Sequence, residues 1–152
     1  MQKFRGVSNL SLDAKGRIVL PARYRERLLE ICQSQMIVTI DTEQPCLLIY
    51  PLPEWELLEE KIEALPSFNP TTRRIQRLLI GHATEVEVDG AGRMLLSNPL
   101  REYAQLGKKV VLIGQGKKFE LWDESIWNER MQIWLHESGD SATPAALEEL
   151  TL

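Results

Sequence analysis

A chain of 152 residues, 43% hydrophobic and 26% charged, is long enough to bury the core of one domain or of two small ones. No apolar run is long enough to cross a bilayer, and Met1-Gln2-Lys3-Phe4-Arg5 lacks the apolar stretch of a signal peptide, so a cytosolic protein is expected. The net charge of −4 disfavours a uniformly basic surface, but the charges are segregated along the chain.

Residues 1–27 hold seven Lys/Arg against Asp13 and Glu26. By contrast, Glu54, Glu56, Glu59, Glu60 and Glu63 face only Lys61, and the eight acids from Glu120 onward face only Arg130. Such a distribution permits a basic face on an acidic body. Cys32 and Cys46 are too few for a disulfide framework and lack metal-ligand spacing, so each reads as a small buried apolar residue.

Val7 to Leu12 reads as a strand, followed by the loop Asp13-Ala14-Lys15-Gly16-Arg17 and a short β-branched strand Ile18-Val19-Leu20. Pro21 suits the first turn of a helix running to about Ile31, with Tyr24, Leu28 and Ile31 on its apolar stripe. Lys15, Arg17, Arg23, Arg25 and Arg27 are thereby concentrated around one loop and one helix. Met36–Ile40 and Cys46–Tyr50 form a hairpin across the polar Asp41–Pro45 segment. Trp55, Leu58, Ile62 and Leu65 then fall at helical spacing.

Asn69-Pro70 opens a third helix, with Ile75, Leu78 and Leu79 on one face and Arg73, Arg74 and Arg77 on the other. That basic face is either solvated or a contact surface for an anionic partner. Thr84 to Val88 leads into a second loop, Asp89-Gly90-Ala91-Gly92-Arg93, then Met94-Leu95-Leu96 and a short helix from Asn98-Pro99 to near Gly107. Lys109–Ile113 and Lys118–Trp122 are a second pair of strands, joined by a turn at Gly114-Gln115-Gly116 that lacks the third glycine of a dinucleotide fingerprint. Asp123 caps a last helix bearing Trp127, Met131 and Trp134, and the small, polar, acidic stretch from Glu137 reads as a mobile tail.

The chain therefore uses one loop twice, Leu12-Asp13-x-x-Gly16-Arg17 and Val88-Asp89-x-x-Gly92-Arg93, the mark of a duplicated unit. Asp folds its carboxylate onto backbone N–H groups two residues on, and Gly takes a positive φ that other residues avoid. An Arg immediately after the Gly either staples the turn by pairing with the Asp or reaches outward to a phosphate or a guanine edge.

The pattern apolar-Asp-x-x-Gly-Arg-apolar-x-apolar-Pro resembles the SpoVT-AbrB type of DNA-binding domain, and two copies in one chain resemble the MraZ family of bacterial regulators. The resemblance runs from Phe4-Arg5-Gly6 to about Asn128 and includes Arg77–His82 and Phe119–Trp122. The second copy departs from it, because Pro stands at position 99 and not at 97, so the start of its helix is expected to be shifted. The resemblance implies an α/β (α+β) fold in which a duplicated swapped-hairpin, AbrB-like β-barrel carries flanking helices. The expected organisation is a first repeat over 5–64, a basic connecting helix over 65–83, a second repeat over 84–136 and an acidic tail over 137–152.

The function so implied is sequence-specific binding of double-stranded DNA through the Asp-x-x-x-Arg loops at short direct repeats. It includes repression of the protein's own promoter and of the adjacent division and cell-wall gene cluster, in a cytoplasmic, nucleoid-associated setting. The family resemblance also implies a ring-like homo-oligomer, for which the Trp55 and Trp127 helices are candidate surfaces unless they serve core packing. Arg17 and Arg93, assisted by Lys15 and Arg5, are the expected DNA contacts, while Asp13, Gly16, Asp89 and Gly92 build the loops. No enzyme, metal site or cofactor is expected: His82 and His136 are single, no serine sits in a nucleophile elbow, and each loop Asp has an Arg that lowers its pKa. The alternative is an AbrB-type antitoxin or interaction protein acting through its acidic C-terminal region.

Overall fold

The first strand of each half crosses to the other half for its partner. In the computed structural model, which describes residues 3–137 together with Leu147, Glu149 and Leu150, β1 (Phe4–Ser11) runs antiparallel along β7 (Lys109–Gly116), from Phe4 opposite Gly116 to Ser11 opposite Lys109. Reciprocally, β5 (Thr84–Glu87) pairs with β3 (Gln35–Ile40) of the first half. The hairpin of β3 with β4 (Leu47–Pro51) and that of β7 with β8 (Phe119–Asp123) meet through β4 and β8. The result is one six-stranded antiparallel sheet in the order β1-β7-β8-β4-β3-β5. A separate ribbon pairs β2 (Arg17–Val19) with β6 (Arg93–Leu95).

The expected closed barrel is not the arrangement found among the described residues. The sheet begins at β1 and ends at β5, and β2 and β6, three residues each, pair only with one another. The ribbon lies beside both free edges, β2 against β1 and β6 against β5.

Alternation along the strands divides the sheet into two faces. Met36, Val38 and Ile40 of β3, Leu47 and Ile49 of β4, and Val110 and Leu112 of β7 enter one core with Ile18, Leu20, Met94 and Leu96 from and beside the ribbon. This core is closed by α1 (Ala22–Cys32), through Tyr24 and Leu28, and by α4 (Asn98–Tyr103), through Leu100. Phe4, Tyr24 and Phe119 stack there with ring centroids 4.5–5.7 Å apart, so aromatic packing worth about 0.5–1.5 kcal/mol per pair joins β1, α1 and β8. On the other face Cys46, Val111, Ile113 and Trp122 lie under α5 (Glu124–His136). Cys32 and Cys46 are both buried.

Local chemistry sets the helix ends. Pro21 (φ −54°) starts α1, which stops at Gln33 in the left-handed region (φ 53°), its N–H donating to Leu29 O at 3.0 Å. Ser97 takes Pro21's place before α4 with nearly the same backbone (φ −67°, ψ 155°). The expected shift of the second helix therefore does not occur: α1 and α4 both begin five residues after the loop Arg. Asp123 caps α5 by accepting from Ile126 N–H at 3.3 Å.

Two further expectations change, and of the two readings open for the Trp55 helix the core one holds. Gly114, Gln115 and Gly116 are the last residues of β7, not a turn, which falls instead at Lys117-Lys118. A Cβ on Gly114 would stand 2.5 Å from Arg5 N, so the glycine permits β1 to approach closely. Leu65 lies beyond α2 (Leu52–Glu63) and is exposed, because the helix ends before its stripe reaches that residue. Trp55 is 2% exposed and packs against Tyr50 at 5.6 Å, which makes it core and not a surface.

The third helix is α3 (Pro70–Ile75), capped by Asn69 and continued by a π-helical turn (Gln76–Ile80). Its basic residues Arg73, Arg74 and Arg77 are exposed. Most of the expected acidic tail lies outside the described residues.

Candidate nucleic-acid interface

Each loop is built by one carboxylate. In the first, Asp13 Oδ1 accepts from the N–H groups of Lys15 and Arg17, both at 2.9 Å, and Oδ2 accepts from Arg17 Nε at 2.7 Å. Gly16 N–H donates to Asp13 O at 3.0 Å and Asp13 N–H to Arg17 O at 2.9 Å, closing the turn. In the second, Asp89 accepts from Ala91 N–H (2.9 Å), Arg93 N–H (2.8 Å) and Arg93 Nε (2.8 Å). Gly16 and Gly92 have φ of 84° and 81°, the conformation the turn requires.

These bonds stabilise the ionised carboxylates. The Arg17 backbone N–H, opposed by partial desolvation and helped by the Arg17 side chain and the Lys15 N–H, holds Asp13 below the usual carboxylate range. Asp89 is lowered in the same way by Arg93 and Ala91. Both acids are thus fixed anions that turn their oxygens toward their own loop.

The two loops lock each other. Leu20 N–H donates to Gly92 O at 2.8 Å, and Leu96 N–H donates to Gly16 O at 2.9 Å. Arg25 of α1 donates from Nε to Leu20 O at 2.9 Å and lies against Gly92, while Arg101 of α4 donates to Leu96 O at 3.0 Å and lies against Gly16. Sequence reading passed over Arg101 altogether. Its signal was present, since Arg25 and Arg101 each follow the last residue of the apolar run, Leu20 or Leu96, by five.

In the ribbon, Arg17 stands opposite Leu95 and Arg93 opposite Val19. Ile18 and Met94 point into the core, so Arg17, Val19, Arg93 and Leu95 share the outer face. The side chains of Arg17 and Arg93 are 27% and 42% exposed. The turn staple uses only Nε of each; among the described residues the Nη atoms of both make no hydrogen bond. Lys15 is exposed beside Arg17.

Arg5 is not brought to this site. It is exposed near the start of β1, opposite Gln115, about 20 Å along the strand from Ser11. Arg77 sits on the π-helical turn, which packs against α2 and β3, and Arg73 and Arg74 sit on α3, which packs against that turn. His82 Nδ1 pairs with Leu78 O at 2.8 Å, at the end of the π-helical turn.

Asp41, Cys46 and Glu120 come within 4.8 Å of one another, a grouping that sequence spacing does not show. The Cys46 thiol donates to Asp41 Oδ2 at 3.5 Å, and burial, then the charges of Glu120 and Asp41, push its pKa up, away from the thiolate that a metal requires.

The fold and the site together define a duplicated α/β protein whose halves exchange first strands and present paired Asp-x-x-x-Arg loops on a two-stranded ribbon. The family model described as "MraZ protein, putative antitoxin-like" matches residues 3–78 and again 79–147. A relative from Halorhodospira halophila is 56% identical over 98% of this chain and 99% of its own. One from Alkalilimnicola ehrlichii is 54% identical over the same shares, and one from Coxiella burnetii 56% over 93% and 95%. Each is named "Transcriptional regulator MraZ". The chain belongs to the MraZ family.

Proposed function

We propose that this protein is a transcriptional regulator that reads double-stranded DNA with the β2–β6 ribbon and its two loops. The observation that carries the reading is the placement of Arg17 and Arg93 on one outer face, each anchored through Nε and each with its Nη pair free among the described residues. A two-stranded ribbon fits the major groove of B-DNA, and a guanidinium with a free fork suits O6 and N7 of guanine. Val19 and Leu95, exposed between the two Arg, suit thymine methyl groups, and Lys15 suits a phosphate. Asp13 and Asp89 aim the Arg and do not face the duplex.

The names of the relatives support regulation as the role. The finer reading extends to repression of the protein's own promoter and the adjacent division and cell-wall genes, with nucleoid association following from chromosomal binding. One loop reads only two or three base pairs, so selection of a site calls for several chains in a ring, each near its own direct repeat. Linked contacts of this kind gain roughly 10²–10⁴ in avidity.

A mobility-shift titration on the DNA upstream of the protein's own gene, against a random duplex of equal length, tests the reading. Tighter binding to the upstream DNA, rising with the number of repeats, is expected. Equal affinity for both duplexes at every salt concentration removes sequence-specific regulation as the function.

A further inference from the structure

We propose that the two loops of one chain are unequal DNA contacts: the Asp13–Arg17 loop supplies most of the phosphate affinity, and the Asp89–Arg93 loop contributes little. The proposal rests on the DNA-binding reading above. It starts from positions that the fold makes equivalent and the side chains do not.

Backbone hydrogen bonds identify those positions. Leu12 N–H donates to Lys108 O at 2.8 Å at the foot of the first loop, and Val88 N–H donates to Ser34 O at 2.9 Å at the foot of the second. One step further, Ser11 stands opposite Lys109 in the ladder, and Glu87 stands opposite Gln35. Asn9 corresponds in the same way to Glu85. Within the loops Lys15 and Ala91 are equivalent, each donating its N–H to the loop Asp.

The surroundings therefore differ by several charges although the backbones match. Lys15, Lys108 and Lys109, all exposed, hold in or beside the first loop the positions that Ala91, Ser34 and Gln35 hold at the second. The neutral Ser11 and Asn9 beside the first are replaced by the exposed Glu87 and Glu85 beside the second. The hollows next to the loops show the same contrast. That beside the first is lined by Lys108 and Arg101 with Asp13, whereas that beside the second is lined by Glu87 and Asp89 with Arg25; Glu26, which also lines it, has its counterpart in Glu102 next to Arg101 and adds no contrast. Arg101 and Arg25 are in both cases tied to backbone carbonyls, so the contrast rests on the other side chains.

Lys15 lies in the first loop, and Lys108, Lys109 and Glu87 stand within two strand residues, about 7 Å, of a loop Asp or its ladder neighbour, inside the Debye length of about 8–10 Å, so salt does not hide them from a phosphate bound there. Each Lys that neutralises a phosphate adds about 0.9 to the slope of log K against log salt. Glu85 and Glu87 instead repel the backbone that Arg93 must approach. The presence of two motifs in one chain thus does not give two equal half-site readers, and the first loop sets the register.

The test uses the full-length protein and the upstream duplex at two salt concentrations. Removing the charges from the first loop with Lys15→Ala and Lys108→Ser should weaken binding on the order of tenfold and lower the salt slope by about 2. Converting the second with Ala91→Lys and Glu87→Ser should tighten binding and raise the slope. Arg17→Ala should lose more affinity than Arg93→Ala. Equal losses from the two Arg variants, or a salt slope indifferent to Lys15 and Lys108, overturn the inequality and leave DNA binding standing. If the wild-type protein does not distinguish upstream from random DNA, the underlying reading falls instead. The lysines are exposed and donate no side-chain hydrogen bond among the described residues, so their variants fold as the wild type does, and a melting curve verifies it.

Discussion

The guanidinium of Arg101 lies against Gly16, so that a Cβ added at position 16 would stand 2.7 Å from Arg101 Cζ. Arg101 belongs to the second half and Gly16 to the first. Each loop is therefore held in shape by a helix from the opposite copy, and the loop glycine serves both its own φ and its neighbour's arginine.

Gly16→Ala should cost about 1–3 kcal/mol of stability, from a left-handed φ without glycine and from displacement of Arg101. Adding Arg101→Ala should return part of the loss, because the clash is relieved although the bond to Leu96 O is gone. Urea denaturation of the two single variants and the double variant forms a cycle. Strict additivity would show that the Arg101–Gly16 contact is not what the glycine protects.

Acid should weaken the protein through its loops. Asp13 and Asp89 have folded-state pKa values below the unfolded value of about 3.9. Their contribution is therefore present above that value and lost as pH falls through the lower, folded-state values. Asp13→Asn with Asp89→Asn should be less stable at neutral pH and should lose stability less steeply below about pH 4. Thermal melts between pH 2 and 6 read the slope, and parallel curves for variant and wild type would deny the carboxylates this role.

Ser97→Pro should stabilise the protein by about 0.4–1 kcal/mol. Ser97 already has a backbone fit for proline, makes no side-chain cap, and occupies the place that Pro21 fills in the first half. A lower melting temperature would mean that the two helix starts are less alike than their dihedral angles.

Gly114→Ala should loosen β1 from β7, since the new methyl group meets the backbone of Phe4 and Arg5. Amide exchange should rise along Phe4–Val7 more than along β3. Uniform protection in both strands would sink this reading.

Much of the site was legible because it is local. Asp13, Gly16 and Arg17 lie within five residues and recur as Asp89, Gly92 and Arg93, so turn chemistry predicts the Asp-to-backbone bonds and the positive φ of the glycines, while the pairing of each Arg with its Asp was one of two readings left open. The strands of both hairpins and the Asp123 cap were also legible for this reason. What escaped depends on partners distant in sequence. Gly114-Gln115-Gly116 looks like a turn until β1 lies alongside it, and Arg101 looks like a surface residue until Gly16 of the other half is beneath it. Arg5 is expected to assist at the DNA backbone with Lys15, but an extended strand carries it away from the loop. Trp55 and Trp127 have similar spacing, yet the first fills the interior beside Tyr50 while the second stays half-buried in a stack with Trp122 and Trp134.

The crossing of the first strands also dictates an order of events during synthesis. Phe4 is made before its ladder partner Gly116, which leaves the ribosome only after more than a hundred further residues, at about 5–20 residues per second roughly 5–20 s later. For that interval β1 is an unpaired strand with no edge to join, while the β3–β4 hairpin can already close. A nascent chain arrested before β7 should therefore be protease-sensitive over Phe4–Ser11 and protected over Gln35–Pro51. Pairing strands more than a hundred residues apart also raises the contact order, which should slow folding despite the five α-helices among the described residues.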